Sequence, residues 1–223
     1  MSEHLQLTTP RCAERCPRCW LRHAHCLCGD LQPTATRSSV LVIMHSRETC
    51  RPSNSAHLIP LVLSRAELRL HGASHMATET FDDLPASETQ DLLLFPDPSA
   101  VVLSRALIAE DPRPPRLIVP DGSWRQARSM ARRRLQRRGL RCVRVTAPEA
   151  PRPRLRRRPG EVGLSTLEAV ALALGILEDP ALGESLLALF DRFVAASFAS
   201  AGRGRGDHAP LDPQRLSEGP RPS

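Results

Sequence analysis

Hydrophobic positions along the chain form short continuous runs that alternate with segments of helical periodicity. The runs Val40–Met44 and Leu117–Val119 are typical of fully buried strands. Shorter or more mixed runs predict further strands at Glu67–His71, Asp91–Phe95 and Arg141–Thr146. Continuous apolar runs of this length occur in parallel sheets that are covered on both faces, so we expect such a sheet here.

Helices are predicted between the strands from apolar spacing and from capping residues. One is expected from Ser55 to Leu63, with Asn54 as its N-cap. A weaker pattern predicts a helix from Ser99 to Arg105. A stronger one predicts a helix from Trp124 to Arg138, ended by Gly139.

Two capping boxes support the later helices. Ser123 is followed three residues on by Gln126, and Ser165 by Glu168, a spacing that marks a helix start. The helix after Ser165 is expected to break at Asp179–Pro180, and a last helix to run to about Ala199. The alternation of strands and helices predicts the α/β class, with a mostly parallel sheet and flanking helices.

Length and composition are those of a globular chain. The 223 residues, 41% of them hydrophobic, suit one domain with a small appendage. No apolar run approaches ~20 residues, so we expect no membrane-spanning helix. The amino terminus lacks a basic segment followed by an apolar one, which favours a cytoplasmic location. The sequence contains neither a P-loop nor a Gly-x-Gly-x-x-Gly motif.

Three segments are predicted from these patterns. Residues 1–33 form an amino-terminal segment that contains a cysteine cluster. Residues 34–200 hold the predicted strands and helices and form the main domain. Residues 201–223 are rich in glycine, proline and charge, and we expect this tail to be disordered.

Four cysteines within thirteen residues predict a metal site. They form two closely spaced pairs, Cys16 with Cys19 and Cys26 with Cys28. Two such pairs facing each other supply the tetrahedral sulfur set that structural zinc prefers. The alternative is a group of surface thiols without metal. Exchange of one ligand also stays open, because three further candidates lie nearby: Cys12, His23 and His25.

Positive charge is concentrated in one region. The net charge is +7, and every basic residue is an arginine. Between Arg125 and Arg158 there are fourteen arginines, and Glu149 is the only acid. Charges this dense repel one another, so a polyanion such as RNA is the natural partner. The residues predicted to bind RNA are Arg125, Arg128, Arg132, Arg133, Arg134, Arg154, Arg156, Arg157 and Arg158.

Base stacking is not expected to dominate this RNA contact. Aromatic residues make up 3% of the chain, and tyrosine is absent. Single-strand binding surfaces depend on aromatic rings that stack on bases. We therefore expect the arginines to contact mainly phosphates.

Polar residues follow two of the predicted strands. Asp121 comes directly after one strand and before a capped helix. His45, Glu48, Arg51 and Asn54 follow the other. Ligands of open α/β sheets bind at the carboxyl ends of strands, so both turns are candidates for a binding site. By themselves these residues also suit a well-capped strand-to-helix turn and a loop with a surface ion pair.

The stretch Asp121-Gly122-Ser123-Trp124 resembles the naming motif of the DTW-domain family of tRNA-uridine aminocarboxypropyltransferases. Ser123 stands where the family usually has threonine, and the usual Arg-Gln-Ala-Arg continuation is present. The segment from His45 to Asn54 resembles a second family motif, with Ser46 in place of a proline and Ser55 in place of a threonine.

Two more segments extend the resemblance over about residues 12 to 195. The cysteine cluster is similar to the amino-terminal zinc knuckle of the family, and Ser165 to Ala169 resembles its carboxyl-terminal motif. The sequence departs from the family where a tyrosine often precedes the arginine cluster, since only Leu155 stands there.

The resemblance implies a reaction and a fold. S-adenosylmethionine would donate its 3-amino-3-carboxypropyl group to N3 of a uridine in tRNA, releasing methylthioadenosine. The fold would be related to the SPOUT methyltransferases, whose carboxyl-terminal segment is threaded into a knot around the cofactor. The uridine imide must lose its N3 proton to attack, and Asp121 is the best-placed general base.

The resemblance also suggests donor contacts. Trp124 would cover the adenine or the target base, Arg51 would pair with the donor carboxylate, and Glu168 would take its ammonium group. Other expected donor contacts are Asn54, Ser123 and Thr166. Motif residues expected to support the site are His45, Glu48 and Ser165.

Three alternatives stay open at this point. An RNA methyltransferase of the same fold would use the same donor but transfer its methyl group. An aminocarboxypropyltransferase could act on ribosomal RNA instead of tRNA. A noncatalytic zinc-containing RNA-binding module would bind RNA and have no pocket for the donor.

Overall fold

The computed structural model describes residues 14–49, 51–72, 81, 83–86, 88–147 and 163–200. Six strands form one sheet: β1 (Ser39–His45), β2 (Ala66–His71), β3 (Gln90–Leu94), β4 (Val101–Val102), β5 (Pro115–Asp121) and β6 (Arg141–Arg144). Their order is β2-β1-β5-β3-β6-β4, and every neighbouring pair is parallel. The predicted mostly parallel α/β fold is confirmed.

Five α-helices accompany the sheet in the described residues: α1 (Ile59–Val62), α2 (Arg105–Ala109), α3 (Trp124–Met130), α4 (Thr166–Leu177) and α5 (Pro180–Ser200). Beyond α3 the chain continues as a π-helical turn, Ala131–Leu135, and a 3₁₀ turn, Gln136–Arg138. Gly139 ends this segment with φ of 77°, a left-handed conformation that glycine adopts readily.

Side chains that alternate along the strands build two cores. Val40 and Val42 of β1 pack with α4 and α5 on one face of the sheet. Leu41 and Ile43 pack with α3 on the other face. Both faces of β1 are covered, which explains its continuous apolar run. Within the described residues, no helix combines the length and apolar character needed to cross a membrane.

Two predicted helices differ from the observed structure. The helix predicted at 99–105 is wrong, because Val101 and Val102 form the edge strand β4 and α2 begins only at Arg105. Ser104 starts α2 by accepting a hydrogen bond from the Leu107 backbone N–H. The segment predicted as one helix after Asn54 divides into a 3₁₀ turn, Ser55–Leu58, and the single-turn helix α1.

Candidate active site

The carboxyl ends of the central strands surround a cavity of about 230 Å³. Its walls come from the segment after β1, the turn after β5, the end of β3 and the start of α4. Six of the predicted site residues line it: Asn54, Asp121, Trp124, Ser165, Thr166 and Glu168. The cavity therefore joins three sequence segments that were singled out separately.

Asp121 lies at the centre of this site with 5% of its surface exposed. Its Oδ2 accepts a hydrogen bond of 2.6 Å from the Asn54 side-chain amide. Its Oδ1 accepts one of 2.5 Å from the Thr166 hydroxyl. Asn54 and Thr166 are 67 and 45 residues away in sequence, so folding alone brings the three together. Hydrogen bonds from both sides stabilise the charged form of a carboxylate.

Asn54 is held by its own local role. Its side-chain oxygen accepts from the Ala56 backbone N–H at 2.8 Å, which caps the following turn as predicted. The side-chain nitrogen is left to face Asp121. One amide thus orders the turn with its oxygen and holds the carboxylate with its nitrogen.

The start of α4 is built by the predicted capping box. Ser165 Oγ accepts from the Glu168 backbone N–H, and Glu168 Oε2 accepts from the Ser165 backbone N–H. Glu168 is 2% exposed, so its carboxylate is fixed at the cavity wall by this box. The same geometry directs the Thr166 hydroxyl towards Asp121.

Two predicted donor residues lie outside the cavity wall. Ser123 caps α3: its hydroxyl accepts from the Gln126 backbone N–H, and its own N–H donates to Gln126 Oε1. The Arg51 side chain is half exposed and faces Glu48, with 3.4 Å from Nε to Oε1. The structure therefore does not bring Ser123 or Arg51 to the lining of the cavity.

Trp124 connects the cavity to a second surface. Its ring lies 5.3 Å from the ring of Phe95, measured between centroids, and both rings line the cavity. The Arg128 guanidinium lies 5.7 Å from the Trp124 ring centroid, a cation–π contact. Arg128 in turn lines an open groove on the α3 side of the sheet.

This groove, the arginine groove, collects the predicted RNA-binding residues that the structure describes. It has a volume of about 900 Å³ and includes Arg125, Arg128, Arg132, Arg133 and Arg134. The π-helical turn carries the last three of these, and such turns are frequent at functional sites. The other predicted RNA-binding residues, Arg154, Arg156, Arg157 and Arg158, lie outside the described residues.

Not every arginine of the basic region faces a free surface. Arg132 pairs with Asp97 at 2.9 Å. Hydrogen bonds from Ser99, together with this arginine, lower the pKa of Asp97 to about 2. Arg138 donates to the Phe81 carbonyl, and Arg141 pairs with Glu110. These contacts support the fold, so the number of arginines in the region is larger than the number that can bind a ligand.

Two histidines lie at the groove: the sequence analysis missed His71 and gave His45 only a supporting role. His45 and His71 end the neighbouring strands β1 and β2 and face each other in the register of the sheet. Burial, with Arg47 adding to it, lowers the pKa of His45. Burial, with Arg134 and His45 adding to it, lowers the pKa of His71. His71 could have been found only by knowing that β1 and β2 are neighbouring strands, which places it beside His45.

The four cysteines meet at a separate centre in the amino-terminal segment. All four sulfur atoms lie within 4.8 Å of one another. The Cys16–Cys28 and Cys19–Cys26 pairs are each 3.7 Å apart. Zn–S bonds of about 2.3 Å in a tetrahedron require sulfur separations of roughly 3.8 Å, so the set fits a tetrahedral ion. Cys19 is fully buried, which is unlike a surface thiol.

The cysteine centre packs against the site-bearing segment. The Trp20 ring lies 5.5 Å from the His57 ring, between centroids. His57 belongs to the turn that follows Asn54, and burial lowers its pKa to about 4. The imidazole is therefore neutral at pH 7 and packs as an uncharged ring. This contact joins the cysteine segment to the loop that carries Asn54.

Comparison with known proteins agrees with this arrangement of segments. The model of the DTW domain family matches residues 13–197 of the chain. The protein belongs to the DTW domain family. The match includes the cysteine centre, the cavity and the arginine groove. No solved structure gives a significant match.

Three curated relatives of this DTW protein carry the same name, tRNA-uridine aminocarboxypropyltransferase 2. The Drosophila melanogaster protein is 27% identical over 188 residues, covering 80% of this chain and 72% of the relative. The Macaca fascicularis and Mus musculus proteins are 25% and 26% identical over 167 residues. The chain spans 56% of the length of these two relatives.

Proposed function

We propose that the protein transfers the 3-amino-3-carboxypropyl group of S-adenosylmethionine to N3 of a uridine in tRNA. The observation that carries this proposal is the hydrogen-bonded unit of Asn54, Asp121 and Thr166 at the wall of one cavity. The unit joins three motifs of a family whose curated relatives are named for this transfer. A cytoplasmic location is part of the same proposal.

The donor supplies a sulfonium centre, which is a good leaving group, so the protein has mainly to align the donor carbon with the uridine nitrogen. The C–S bond breaks with its electron pair on sulfur, the N3–C bond forms, and the N3 proton passes to a base. We assign Asp121 to the site of this transfer. It is the buried carboxylate at the cavity wall whose oxygens are both held in place.

Asp121 has two chemical roles compatible with this position. As general base it accepts the N3 proton on an oxygen lone pair that the Asn54 and Thr166 hydrogen bonds leave open. As a ligand it stays charged and binds the donor ammonium group, a role that the Asn54 and Thr166 hydrogen bonds favour. A neutral replacement would lose the proton acceptor in the first role and a contact with the donor in the second, and the two losses can be measured separately.

Other donor contacts are assigned by their place at the cavity. Trp124 and Phe95 form an aromatic wall suited to the adenine or the target base. Asn54, Thr166 and Glu168 supply the polar wall. Ser123 supports the site through its cap of α3. Arg51 would reach the donor carboxylate only after leaving Glu48, so this contact belongs to a rearranged, ligand-bound loop.

We assign structural zinc to the cysteine centre and a SPOUT-like knot to the main domain. The sulfur separations suit the ion, and the buried position of Cys19 suits a structural role. The knot is the one that the resemblance implies, with the carboxyl-terminal segment threaded around the donor site. Residues 1–33, 34–200 and 201–223 remain our proposed division into zinc segment, catalytic domain and tail.

The mass of the modified nucleoside tests the proposed reaction. The protein is incubated with S-adenosylmethionine and unmodified tRNA, and the digested tRNA is examined by mass spectrometry. We expect uridine that carries the aminocarboxypropyl group. A methyl adduct instead would assign the protein to the RNA methyltransferases, and modification of ribosomal RNA alone would reassign the substrate. Calorimetry that detects RNA binding but no donor binding would support the noncatalytic module.

Replacing Arg133 and Arg134 together by Gln is expected to weaken tRNA binding and reduce its salt dependence. Each lost phosphate contact should lower the slope of log affinity against log salt by about 0.7 to 0.9. Filter binding across a salt series measures this slope. Donor affinity should stay unchanged, because neither residue lines the cavity.

Arg37→Gln is the matched control for this experiment. Arg37 is exposed and precedes β1, at the amino ends of the strands and away from the arginine groove. Its replacement removes one positive charge without touching the groove. An equal loss per charge removed in the control, or an unchanged slope in the double variant, would contradict the assignment of the arginine groove to RNA.

A further inference from the structure

A single turn, the one that follows β5 at the carboxyl ends of the strands, separates the cavity from the arginine groove. Asp121 is the register partner of Met44, whose side chain packs in the α4 and α5 core. His45 is the next residue of β1, so its side chain faces the opposite side, towards α3. His71 is the register partner of His45, and its ring contacts Phe81 in the α3 core at 4.9 Å. Both histidines therefore face the groove, and Asp121 faces the cavity.

Gly122 forms the wall between the two spaces. A Cβ atom at this position would lie 3.1 Å from Gln126 Cβ, which is tighter than most real contacts, and 3.4 Å from His45 Cβ, an ordinary van der Waals distance. The backbone turn thus passes close beside His45 immediately after Asp121. A nucleotide whose base enters the cavity would cross this turn, and its backbone would lie on the histidine side.

The charges at the histidine end of the groove favour an anion. The described residues that line the groove include six arginines and no aspartate or glutamate. Arg134 lies near enough to His71, and Arg47 near enough to His45, to disfavour protonation of each imidazole. Glu48 acts on His45 in the opposite direction. A bound anion would relieve the repulsion among these groups.

His71 also has an unused hydrogen-bonding atom. Its Nδ1 is buried and has no hydrogen-bond partner among the described residues. Because this atom has no accessible surface, contact of His71 with a ligand in the groove is assigned to its other ring nitrogen, Nε2. The His45 Nδ1 is already occupied, because it accepts from the Arg47 backbone N–H at 3.2 Å. The Nε2 atom of His45 stays available for a ligand.

We propose that His45 and His71 form a binding site for an RNA backbone phosphate next to the target nucleotide. The site rests on the proposed function, which makes RNA the substrate, and it adds two groups to the arginines already assigned. Imidazolium donors at the edge of the cavity would fix the backbone where the base must turn inward. A divalent cation is a poor occupant, since the surrounding arginines repel it.

His45→Gln and His45→Arg, with the same pair at His71, test this site. Binding of unmodified tRNA is measured by filter binding at pH 6, 7 and 8 and over a salt series. Phosphate favours the protonated imidazole, so wild-type affinity should rise as the pH falls from 8 to 6. The Gln variants should bind roughly 3- to 10-fold more weakly at pH 6, the effect of one net hydrogen bond. Their pH dependence should be reduced.

The Arg variants keep the test independent of simple damage to the fold. Arg replaces the switchable charge by a permanent one, so we expect near wild-type affinity that no longer varies with pH. His23→Gln is the control, because His23 is exposed, lies outside the groove and is not part of the four-cysteine centre that the structure forms. Donor binding by calorimetry and thermal unfolding confirm that each variant is folded.

The outcomes separate this site from the proposed function. Wild-type affinity that does not change with pH, or Gln variants that match the wild type, would overturn the phosphate site even if the aminocarboxypropyl product is formed. Binding that follows the expected pattern without any product would support the phosphate site and overturn the reaction. Wild-type protein that binds no RNA would overturn both.

Discussion

Replacing Asp121 by Asn is expected to lower the rate of group transfer by about 10² to 10⁴, the range for loss of a general base. The replacement keeps the size of the side chain and removes its charge and its ability to accept a proton. It acts at a residue that is 5% exposed and held by two hydrogen bonds. The other carboxylate among the described residues of the cavity wall is that of Glu168, and it is already held in the capping box at the start of α4.

The fold should survive this replacement because the neighbours of Asp121 can adapt. The Asn oxygen can still accept from the Asn54 amide. Its nitrogen can donate to the Thr166 hydroxyl, which can rotate from donor to acceptor. Both of these contacts thus keep a hydrogen bond, and the expected loss of stability is small.

Donor binding and saturated turnover, measured on the same Asp121→Asn protein, distinguish the two roles. If Asp121 is the base, donor affinity is retained and turnover at saturation falls. If Asp121 binds the donor ammonium group, the donor dissociation constant rises and saturated turnover is largely retained. Full activity with normal donor binding would contradict both roles.

Asp91→Asn is the matched control. Asp91 is also buried, but it pairs with Arg116 at 2.6 Å near the opposite ends of the strands. Breaking this pair should destabilise the fold, because it removes the nearer counter-charge of a partly buried arginine and leaves only Asp83 at 3.9 Å. Turnover by the folded fraction should stay close to wild type. A loss of turnover equal to that of Asp121→Asn would show that the assay reports stability alone.

Replacing Cys19 by Ser is expected to abolish stoichiometric zinc binding and to destabilise the amino-terminal segment. Structural zinc contributes roughly 10 to 16 kcal/mol of apparent binding free energy in small zinc-finger peptides. Losing it should therefore lower the stability of the segment more than an ordinary substitution does. Cys19 is the cysteine of the centre that has no exposed surface. Elemental analysis should find about one zinc per wild-type chain, and thermal unfolding should show a lower midpoint in the variant.

Cys142→Ser is the control for the zinc measurement. Cys142 is a partly buried free thiol that donates to the Phe95 carbonyl at 3.4 Å and lies outside the cysteine centre. Its replacement should leave the zinc content unchanged. Reduced, freshly purified wild-type protein without zinc, or a Cys19→Ser protein with full zinc content, would contradict the assignment.

Loss of zinc is also expected to affect the cavity, through the contact between Trp20 and His57. Trp20 packs on His57, and His57 belongs to the turn that Asn54 caps. A disordered amino-terminal segment would remove this ring from the turn that positions the Asn54 amide. Zinc removal should therefore weaken donor binding as well as stability, and this can be followed in the calorimetry of the Cys19→Ser protein.

Local features of the sequence were sufficient for the cysteine centre and for most of the elements, but not for the edge strand β4, where a helix was predicted. Continuous apolar runs predict buried strands because both faces of the sheet are covered, as at β1 and β5. Both predicted capping boxes are present, because such caps involve backbone and side chains only three residues apart. The four cysteines are equally local, so their spacing alone indicated that the sulfur atoms meet.

Contacts between distant segments were decided only by the tertiary structure. The order β2-β1-β5-β3-β6-β4 places His71 beside His45 and brings Asn54 and Thr166 to Asp121. It leaves Arg51 at the surface beside Glu48. Periodicity tells which side of a strand is buried, but packing of the whole chain selects the neighbouring strand. The sequence by itself therefore determined most of the elements and the motif residues. The edge strand β4, the partners of the motif residues and the separation of cavity from groove arose from long-range packing.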